Sequence, residues 1–277
     1  MSGAETGSAD VWRGGGGLCW LCPAEPLLPG VRVAVATRAG GVSTGSRAAL
    51  NLATHVGDDA EHVAENRRRL RQALALPREP FWLQQVHGIA VADADQSVAV
   101  PPVADASVTR GEGVLAILTA DCLPVVFAMP RRGAKPGESA LLGAAHAGWR
   151  GLLGGVLEAT LSQLEAVGGN LAEAVAWMGP AIGPAAFEVG DEVRDAFMAV
   201  SASTAPAFVR NERGRWQADL FLLARQRLAQ AGVSVVGGGG VCTCSDAERW
   251  FSYRRDARPG LDTGRLATVV WQERVTL

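Results

Sequence analysis

The sequence predicts a mixed α+β fold in a single domain. Short apolar runs typical of strands follow one another through glycine- and proline-containing turns, and helical patterns are interspersed among them without strict alternation. A doubly wound parallel sheet would place a helix after nearly every strand, so this pattern favours mixed sheets. The chain has 277 residues, enough for one large core, and neither an internal repeat nor a linker divides it after residue 30.

The N-terminal third is predicted to contain a disordered extension, a strand and a helix. Residues 1–29 are expected to be disordered, because they are rich in glycine, serine and alanine and include four consecutive glycines. Residues 30–277 are then expected to form a single folded domain. Alternating apolar residues predict a strand over 31–38. Asp58 and Glu61 have the spacing of a capping box, which predicts that a helix starts at Asp58.

The remaining elements are predicted from apolar periodicity and from glycine and proline end signals. The segment that follows His146 is expected to form one amphipathic helix, ended by two consecutive glycines. The further predicted strands are 81–94 with a turn at Gly88, 116–122, 123–128, 141–146, 175–182, 233–236 and 266–271, and the further helices are 151–167, 191–200 and 219–231.

Three apolar runs in the middle of the chain each end in a residue that can bind a metal. The runs lead into His87, Cys122 and His146. Small residues surround His146, among them Gly148, and they let other groups approach closely. Because all three residues lie at predicted strand ends, where catalytic groups are often presented, we expect them to meet in one site.

Two imidazoles and one thiolate form a three-ligand set for zinc that leaves a fourth position open. Copper can use the same ligands. Asp121, next to Cys122, is expected to orient one of the histidines. The same residues also allow a metal-free cysteine hydrolase, with Cys122 as nucleophile, His87 or His146 as base and Asp121 as the orienting group. Taken singly, each of these residues is more commonly an inert member of a core.

A second candidate binding feature follows the first predicted strand. Arg38 precedes Gly40 and Gly41, in a turn whose backbone N–H groups and neighbouring guanidinium can bind an anion or a polar ligand. An ordinary turn beside a surface arginine fits the same residues equally well. We assign Arg38, Gly40, Gly41 and Asn51 as substrate-binding residues, whereas His55 fits a hydrogen-bonded structural role.

Composition argues against nucleic acid or a membrane as a partner. Charged residues make up 19% of the chain, the net charge is −2 and the pI is about 6.1, which gives no sign of a basic surface. No apolar run reaches the roughly 18 residues that a membrane span needs. Five cysteines are an odd number for a disulfide framework, and the N-terminus lacks an apolar signal segment. We therefore expect a cytoplasmic monomer that binds small molecules.

Several motifs occur together in one order along the chain. They are TRAGGVS (37–43), LNLATHVGDDAEHVAENRRRL (50–70), QQVHG (84–88), ADASVT (104–109), LTADCLPVVFA (118–128), AAHAGWRGLLGGV (144–156), GPAIGP (179–184) and FSYRRD (251–256). With these motifs the chain resembles the laccase-domain family, which was labelled multicopper polyphenol oxidase and later described as a purine nucleoside phosphorylase. The resemblance covers the chain from about residue 30 to residue 272.

The resemblance implies a four-layer αββα sandwich with zinc held by His87, Cys122 and His146. It also implies phosphorolysis of adenosine and inosine, cleavage of methylthioadenosine and deamination of adenosine, so the expected partners are purine nucleosides and phosphate. The polyphenol oxidase label belongs to the same family, but a multicopper centre needs many more histidines than the four in this chain. Copper-dependent oxidation and metal-free hydrolysis by Cys122 remain the alternatives.

Overall fold

The computed structural model describes residues 10–96, 98–111, 113–135 and 138–273. The strands in these residues are β1 (Asp10–Gly15), β2 (Leu18–Pro23), β3 (Val31–Ala36), β4 (Val91–Asp93), β5 (Ala106–Thr109), β6 (Leu115–Thr119), β7 (Leu123–Met129), β8 (Leu141–Ala147), β9 (Val175–Met178), β10 (Glu188–Val189), β11 (Phe208–Arg210), β12 (Trp216–Ala218), β13 (Val235–Gly238) and β14 (Leu266–Gln272). The α-helices are α1 (Ala60–Ala73), α2 (Trp149–Gly154), α3 (Val156–Ala166), α4 (Asp191–Val200), α5 (Leu220–Gln230) and α6 (Tyr253–Asp256).

Two large sheets and one small sheet organise these strands. The first large sheet has the order β1-β2-β3-β14-β6, and the second has the order β13-β9-β7-β8-β5-β4. The second sheet is mixed, because β9, β7, β8 and β5 pair antiparallel whereas β13 and β4 join its two edges in parallel. The small sheet has the order β10-β12-β11. This arrangement confirms the predicted mixed α+β class.

Alternation of side chains along the strands divides the apolar core into three clusters and therefore defines four layers. In β6, Leu115 and Ile117 pack between the two large sheets, whereas Ala116 and Leu118 pack on the opposite side with Leu70 of α1. Beyond the second sheet, a third cluster joins the strands to α3 and α5. The order is helix, sheet, sheet, helix, as the resemblance implies.

The N-terminal segment is folded from residue 10 onward, which corrects the expectation of a disordered extension over residues 1–29. β1 and β2 form a hairpin with Asp10 opposite Pro23 and Gly15 opposite Leu18, and β2 joins β3 in the first sheet. Two of the four consecutive glycines, Gly16 and Gly17, make the hairpin turn at φ values of 58° and 77°. Residues 1–9 lie outside the described residues.

Two helix predictions need correction, one in the middle of its helix and one at its N-terminal cap. The helix predicted over 151–167 is interrupted at Gly155, whose φ of 101° separates α2 from α3. Asp59 caps α1 through its side chain, which accepts a hydrogen bond from Glu61 N at 2.7 Å. The predicted cap, Asp58, instead accepts hydrogen bonds from Ser43 and Asn51.

The helices predicted over 191–200 and 219–231 are confirmed as α4 and α5. Residues 81–94 form an irregular segment that contains only the short strand β4, where strand, turn and strand were predicted. Among the described residues, every helix is too short or too polar to cross a membrane.

Candidate metal centre

His87, Cys122 and His146 converge on one point. Their ligand atoms all lie within 4.8 Å of one another, and Cys122 Sγ is 3.8 Å from His87 Nε2. Standard zinc–nitrogen and zinc–sulfur bond lengths in a tetrahedron would put such a pair about 3.6 Å apart. The two imidazole rings meet edge to face, with centroids 4.7 Å apart. The donor types and their spacing therefore fit a zinc ion with one coordination position open.

Pairing of β7 with β8 brings two of these residues together. His146 lies in β8 opposite Pro124 of β7, so Cys122, in the turn that precedes β7, is placed beside it. His87 lies in the irregular segment before β4, with a φ of 61° that non-glycine residues rarely adopt. Thus the three residues meet as predicted, although Cys122 and His87 lie in a turn and a loop and not at strand ends.

Asp105 is the carboxylate that fixes this arrangement. It is fully buried and accepts a hydrogen bond from His146 Nδ1 at 2.8 Å. It also accepts backbone N–H hydrogen bonds from Val86, His87 and Gly88 at 3.1, 2.8 and 2.6 Å. Burial raises the pKa of Asp105, but these hydrogen bonds outweigh burial and leave the pKa below its usual value. The ionised carboxylate holds the His87 loop and directs His146 Nε2 toward the metal position.

Asp121 does not orient a histidine, which corrects the role expected from its position beside Cys122. Its carboxylate accepts hydrogen bonds from Thr243 Oγ1 at 2.6 Å, from Ser252 Oγ at 2.9 Å and from the backbone N–H of Arg254 at 2.7 Å. Its backbone has a φ of 83°, another rare value for a non-glycine residue. Asp121 therefore anchors the segment 243–254 against the site, while Asp105 has the orienting role.

Charge in the metal-free centre is concentrated on Cys122 and His146. Burial raises the pKa of the Cys122 thiol, but the attraction of His146 outweighs burial and lowers it to about 6. Burial lowers the pKa of His146, but the Cys122 charge and the hydrogen bond to Asp105 raise it to about 9. Each group of the pair thus favours the charged form of the other, and a metal that binds both must displace the proton they hold.

Gly148 leaves room for Cys122 and His87 to lie close to each other. A β-carbon at this position would lie 2.9 Å from Cys122 Sγ and 3.1 Å from His87 Cδ2. Any side chain there would push the thiol and the imidazole apart. The small residues noted around His146 in the sequence thus permit close approach, and Gly148 is the one that touches the other two ligands.

A cavity of about 510 Å³ opens above the three ligands. Apolar and aromatic side chains form part of its wall, including Trp149, Ile182 and Phe187. Gln85, also in the wall, is held by two hydrogen bonds of 2.8 Å with the backbone of Leu118. The complete lining is His55, Gln85, His87, Leu118, Thr119, Ala120, Asp121, Cys122, His146, Trp149, Arg150, Ile182, Phe187, Leu220, Tyr253, Arg254 and Arg265.

The four residues assigned to substrate binding lie outside this lining. Arg38 donates to the carbonyl oxygens of Ala48 and Ala247 at 2.9 and 3.1 Å and lies over the Phe251 ring. A β-carbon on Gly40 or Gly41 would collide with the backbone of a neighbouring segment. Close packing therefore explains why both residues are glycines. Asn51 is fully buried and accepts the backbone N–H of Arg265 at 2.9 Å.

Arg38→Ala is accordingly expected to lower stability and not activity. Loss of two hydrogen bonds and of the contact with Phe251 should reduce the free energy of unfolding by about 1–3 kcal/mol. Activity per folded molecule should stay within about twofold, because Arg38 does not line the cavity. Denaturant unfolding and enzyme assays check both statements.

Arg32→Ala is the matched control, since Arg32 lies in β3, a few residues before Arg38, and makes an exposed ion pair with Glu273 at 2.9 Å. This control should change the free energy of unfolding by less than about 1 kcal/mol. Normal stability with lost activity in Arg38→Ala would restore the substrate-binding role predicted from the sequence.

The fold and the metal centre together define a protein class, and comparison with known proteins agrees. The chain belongs to the family described as multi-copper polyphenol oxidoreductase laccase, whose model matches residues 32–273. It is 50% identical over 254 residues to a protein of Pseudomonas aeruginosa named a purine nucleoside phosphorylase, covering 91% of this chain and 98% of the relative. The Escherichia coli protein named purine nucleoside phosphorylase YfiH is 47% identical over 252 residues, with 91% and 98% of the two chains covered.

Solved structures are similar over nearly the whole chain. A Neisseria meningitidis protein superposes with a TM-score of 0.81 at 42% identity, covering 92% of this chain and 99% of its own. YlmD from Geobacillus stearothermophilus superposes with a TM-score of 0.81 at 30% identity, covering 96% of this chain and 100% of its own.

Proposed function

We propose that this protein is a zinc-dependent purine nucleoside phosphorylase that acts on adenosine, inosine and methylthioadenosine and also deaminates adenosine. The observation that carries the proposal is the convergence of His87, Cys122 and His146 at a cavity, in a chain 50% identical to a protein named a purine nucleoside phosphorylase. The cavity volume of about 510 Å³ is in the usual range for a small-molecule site and accommodates a nucleoside.

In phosphorolysis, an oxygen of phosphate forms a bond to C1′ of the ribose while the bond from C1′ to the purine nitrogen breaks. The products are ribose 1-phosphate and the free purine, which takes the proton that phosphate loses. Zinc would act as a Lewis acid toward a polar atom of the substrate. His87, Cys122 and His146 would hold the ion beside the cavity, and Asp105 would fix the tautomer of His146.

The cavity wall suits a flat, partly polar base. Trp149 and Phe187 offer aromatic surface to a purine, and Gln85 places an amide near the metal position. In deamination, water would replace the amino group at C6 of adenosine, giving inosine and ammonia. With the purine edge facing the metal, one binding orientation would serve both reactions.

Product analysis of the purified protein tests this proposal. Adenosine is supplied with zinc-loaded enzyme, with and without phosphate, and the products are separated by chromatography. Phosphate-dependent formation of adenine and ribose 1-phosphate is expected, together with inosine that forms without phosphate. Absence of ribose 1-phosphate from adenosine and inosine, together with absence of 5-methylthioribose 1-phosphate from methylthioadenosine, would reject the phosphorylase.

A metal-free cysteine hydrolase is the second candidate, and the lowered pKa of Cys122 favours it. A thiolate 3.8 Å from His87 Nε2 has the spacing and charge of an activated nucleophile. A copper oxidase is favoured only by the family description. The described residues contain one cluster of three metal-binding groups, formed by His87, Cys122 and His146. Three ligands are too few to hold the several copper ions of a multicopper centre.

We also propose that the enzyme works as a monomer in the cytoplasm. All five cysteines are free thiols, as is usual in a reducing compartment. We propose zinc and not copper as the bound metal, because a mixed histidine–thiolate set suits zinc. We propose neither nucleic acid nor a membrane as a partner, because the net charge is only −2.

A further inference from the structure

The cavity above the metal centre carries an excess of positive charge. Arg150, Arg254 and Arg265 all line it, whereas Asp121 is the only carboxylate in its lining. The oxygens of Asp121 already accept three hydrogen bonds from neighbouring groups. Even with a thiolate on Cys122, the described lining residues carry fewer negative than positive charges, so the guanidinium groups are not fully balanced.

The three arginines differ in the ion pairs and hydrogen bonds that they make within the protein. Arg265 is paired with Asp262 at 3.1 Å, so its charge is balanced locally. Arg254 donates to the carbonyl oxygens of Ala186 and Glu188 at 3.2 and 3.1 Å. Those contacts hold the Arg254 side chain in place but leave its charge uncompensated.

Of the three arginines, Arg150 has the fewest polar partners among the described residues. Its side chain is exposed and lies over the ring of Trp149, with a distance of 4.3 Å from Cζ to the ring centroid. Among the described residues its guanidinium has no hydrogen bond and no ion pair. Arg150 is two residues from Gly148, which packs against Cys122 and His87. A planar group with five N–H donors is thus available at the edge of the metal centre.

His55 adds a neutral donor to the same wall. Burial lowers its pKa, and the nearby Arg265 guanidinium lowers it further. The imidazole is therefore uncharged at neutral pH, and the positive charge of this part of the cavity resides on arginine. Arginine recognises phosphate oxygens through paired N–H groups. The cavity therefore favours a phosphoryl ligand over an uncharged sugar or base.

We propose that Arg150, with Arg254, forms a subsite for a phosphoryl dianion beside the metal centre. The proposal rests on the proposed function in one respect, since phosphorolysis would require inorganic phosphate at this place. A phosphate group attached to the substrate has the same chemistry. The subsite replaces the one assigned from the sequence to Arg38, Gly40 and Gly41, which lie outside the cavity lining.

Calorimetric titration of the full-length, zinc-loaded protein with inorganic phosphate tests the subsite independently of turnover. Arg150→Ala is expected to weaken phosphate binding roughly 10- to 100-fold, because a charged hydrogen-bond donor to an anion is lost. Arg150→Lys should recover part of the affinity. Arg194→Ala is the matched control, since Arg194 also stacks on a tryptophan, at 4.5 Å from the Trp216 centroid, but does not line the cavity.

Adenosine and adenosine 5′-monophosphate, titrated in parallel, distinguish the two sources of the phosphoryl group. Tighter binding of the monophosphate that disappears in Arg150→Ala identifies a phosphate on the substrate; competition only from inorganic phosphate identifies a co-substrate. Equal phosphate affinity in wild type and Arg150→Ala, or no phosphate binding by wild type, would overturn the subsite. If wild type binds phosphate through Arg150 but forms no ribose 1-phosphate, the subsite stands and the phosphorylase fails.

Discussion

Cys122→Ala is expected to lose bound zinc and nucleoside phosphorolysis together. The substitution removes the single thiolate among the three ligands, and the two remaining imidazoles would hold zinc far more weakly. We expect less than about a tenth of an equivalent of zinc after dialysis, and a fall in kcat/KM of at least about 1,000-fold. Metal analysis and steady-state kinetics on the same preparation measure both quantities.

Cys19→Ala is the matched control, because Cys19 is also a half-buried free thiol but lies in β2, outside the cavity lining. It should retain zinc and activity. Zinc affinity of the wild type should rise with pH across the range from about 6 to about 9, since protons compete with the metal for Cys122 and His146. A Cys122→Ala protein that keeps one zinc but loses activity would favour the nucleophile over the ligand.

Asp105→Asn is expected to weaken zinc binding about 10- to 100-fold, as removal of a carboxylate behind a metal-binding histidine commonly does. The amide cannot accept from His146 and from three backbone N–H groups at once, so the His87 loop loses a partner as well. The free energy of unfolding should also fall, by about 2–4 kcal/mol, because buried donors are left without an acceptor. Zinc titration and denaturant unfolding provide the two measurements.

Asp121→Asn is the control that distinguishes a specific effect on zinc binding from a general loss of stability. Asp121 is also buried and accepts three hydrogen bonds, where Asp105 accepts four, but none of its partners is a metal ligand. It should lose stability to a similar degree while the folded protein keeps its zinc affinity within about threefold. Equal losses of zinc affinity in the two variants would show that Asp105 has no special role toward His146.

The metal ligands were accessible from sequence because their chemistry and their positions coincide. His87, Cys122 and His146 are residue types that bind zinc, and each follows an apolar run, so convergence could be expected without knowing the pairing of β7 with β8. Asp105 was missed because its contacts are tertiary. It lies 17 to 19 residues from the backbone groups that it binds and 41 from His146. The adjacent Asp121 was the natural but incorrect choice.

Local patterns failed where a distant segment decides the role of a residue. Arg38 resembles a ligand-binding arginine beside a glycine turn, but its partner Ala247 is 209 residues away in sequence. The four glycines at 14–17 have the composition of a flexible tail, yet two of them form the turn of a hairpin that completes the first sheet. Only the pairing of β2 with β3 makes that turn part of the domain.

Activity of the metal-free wild-type protein, before and after zinc is added back, tests the central claim most directly. Chelation followed by dialysis should abolish phosphorolysis, and one equivalent of zinc should restore it, because His87, Cys122 and His146 form a single three-ligand site. Full activity in protein shown by metal analysis to contain no zinc would contradict the zinc mechanism. That result would instead favour Cys122 as a nucleophile.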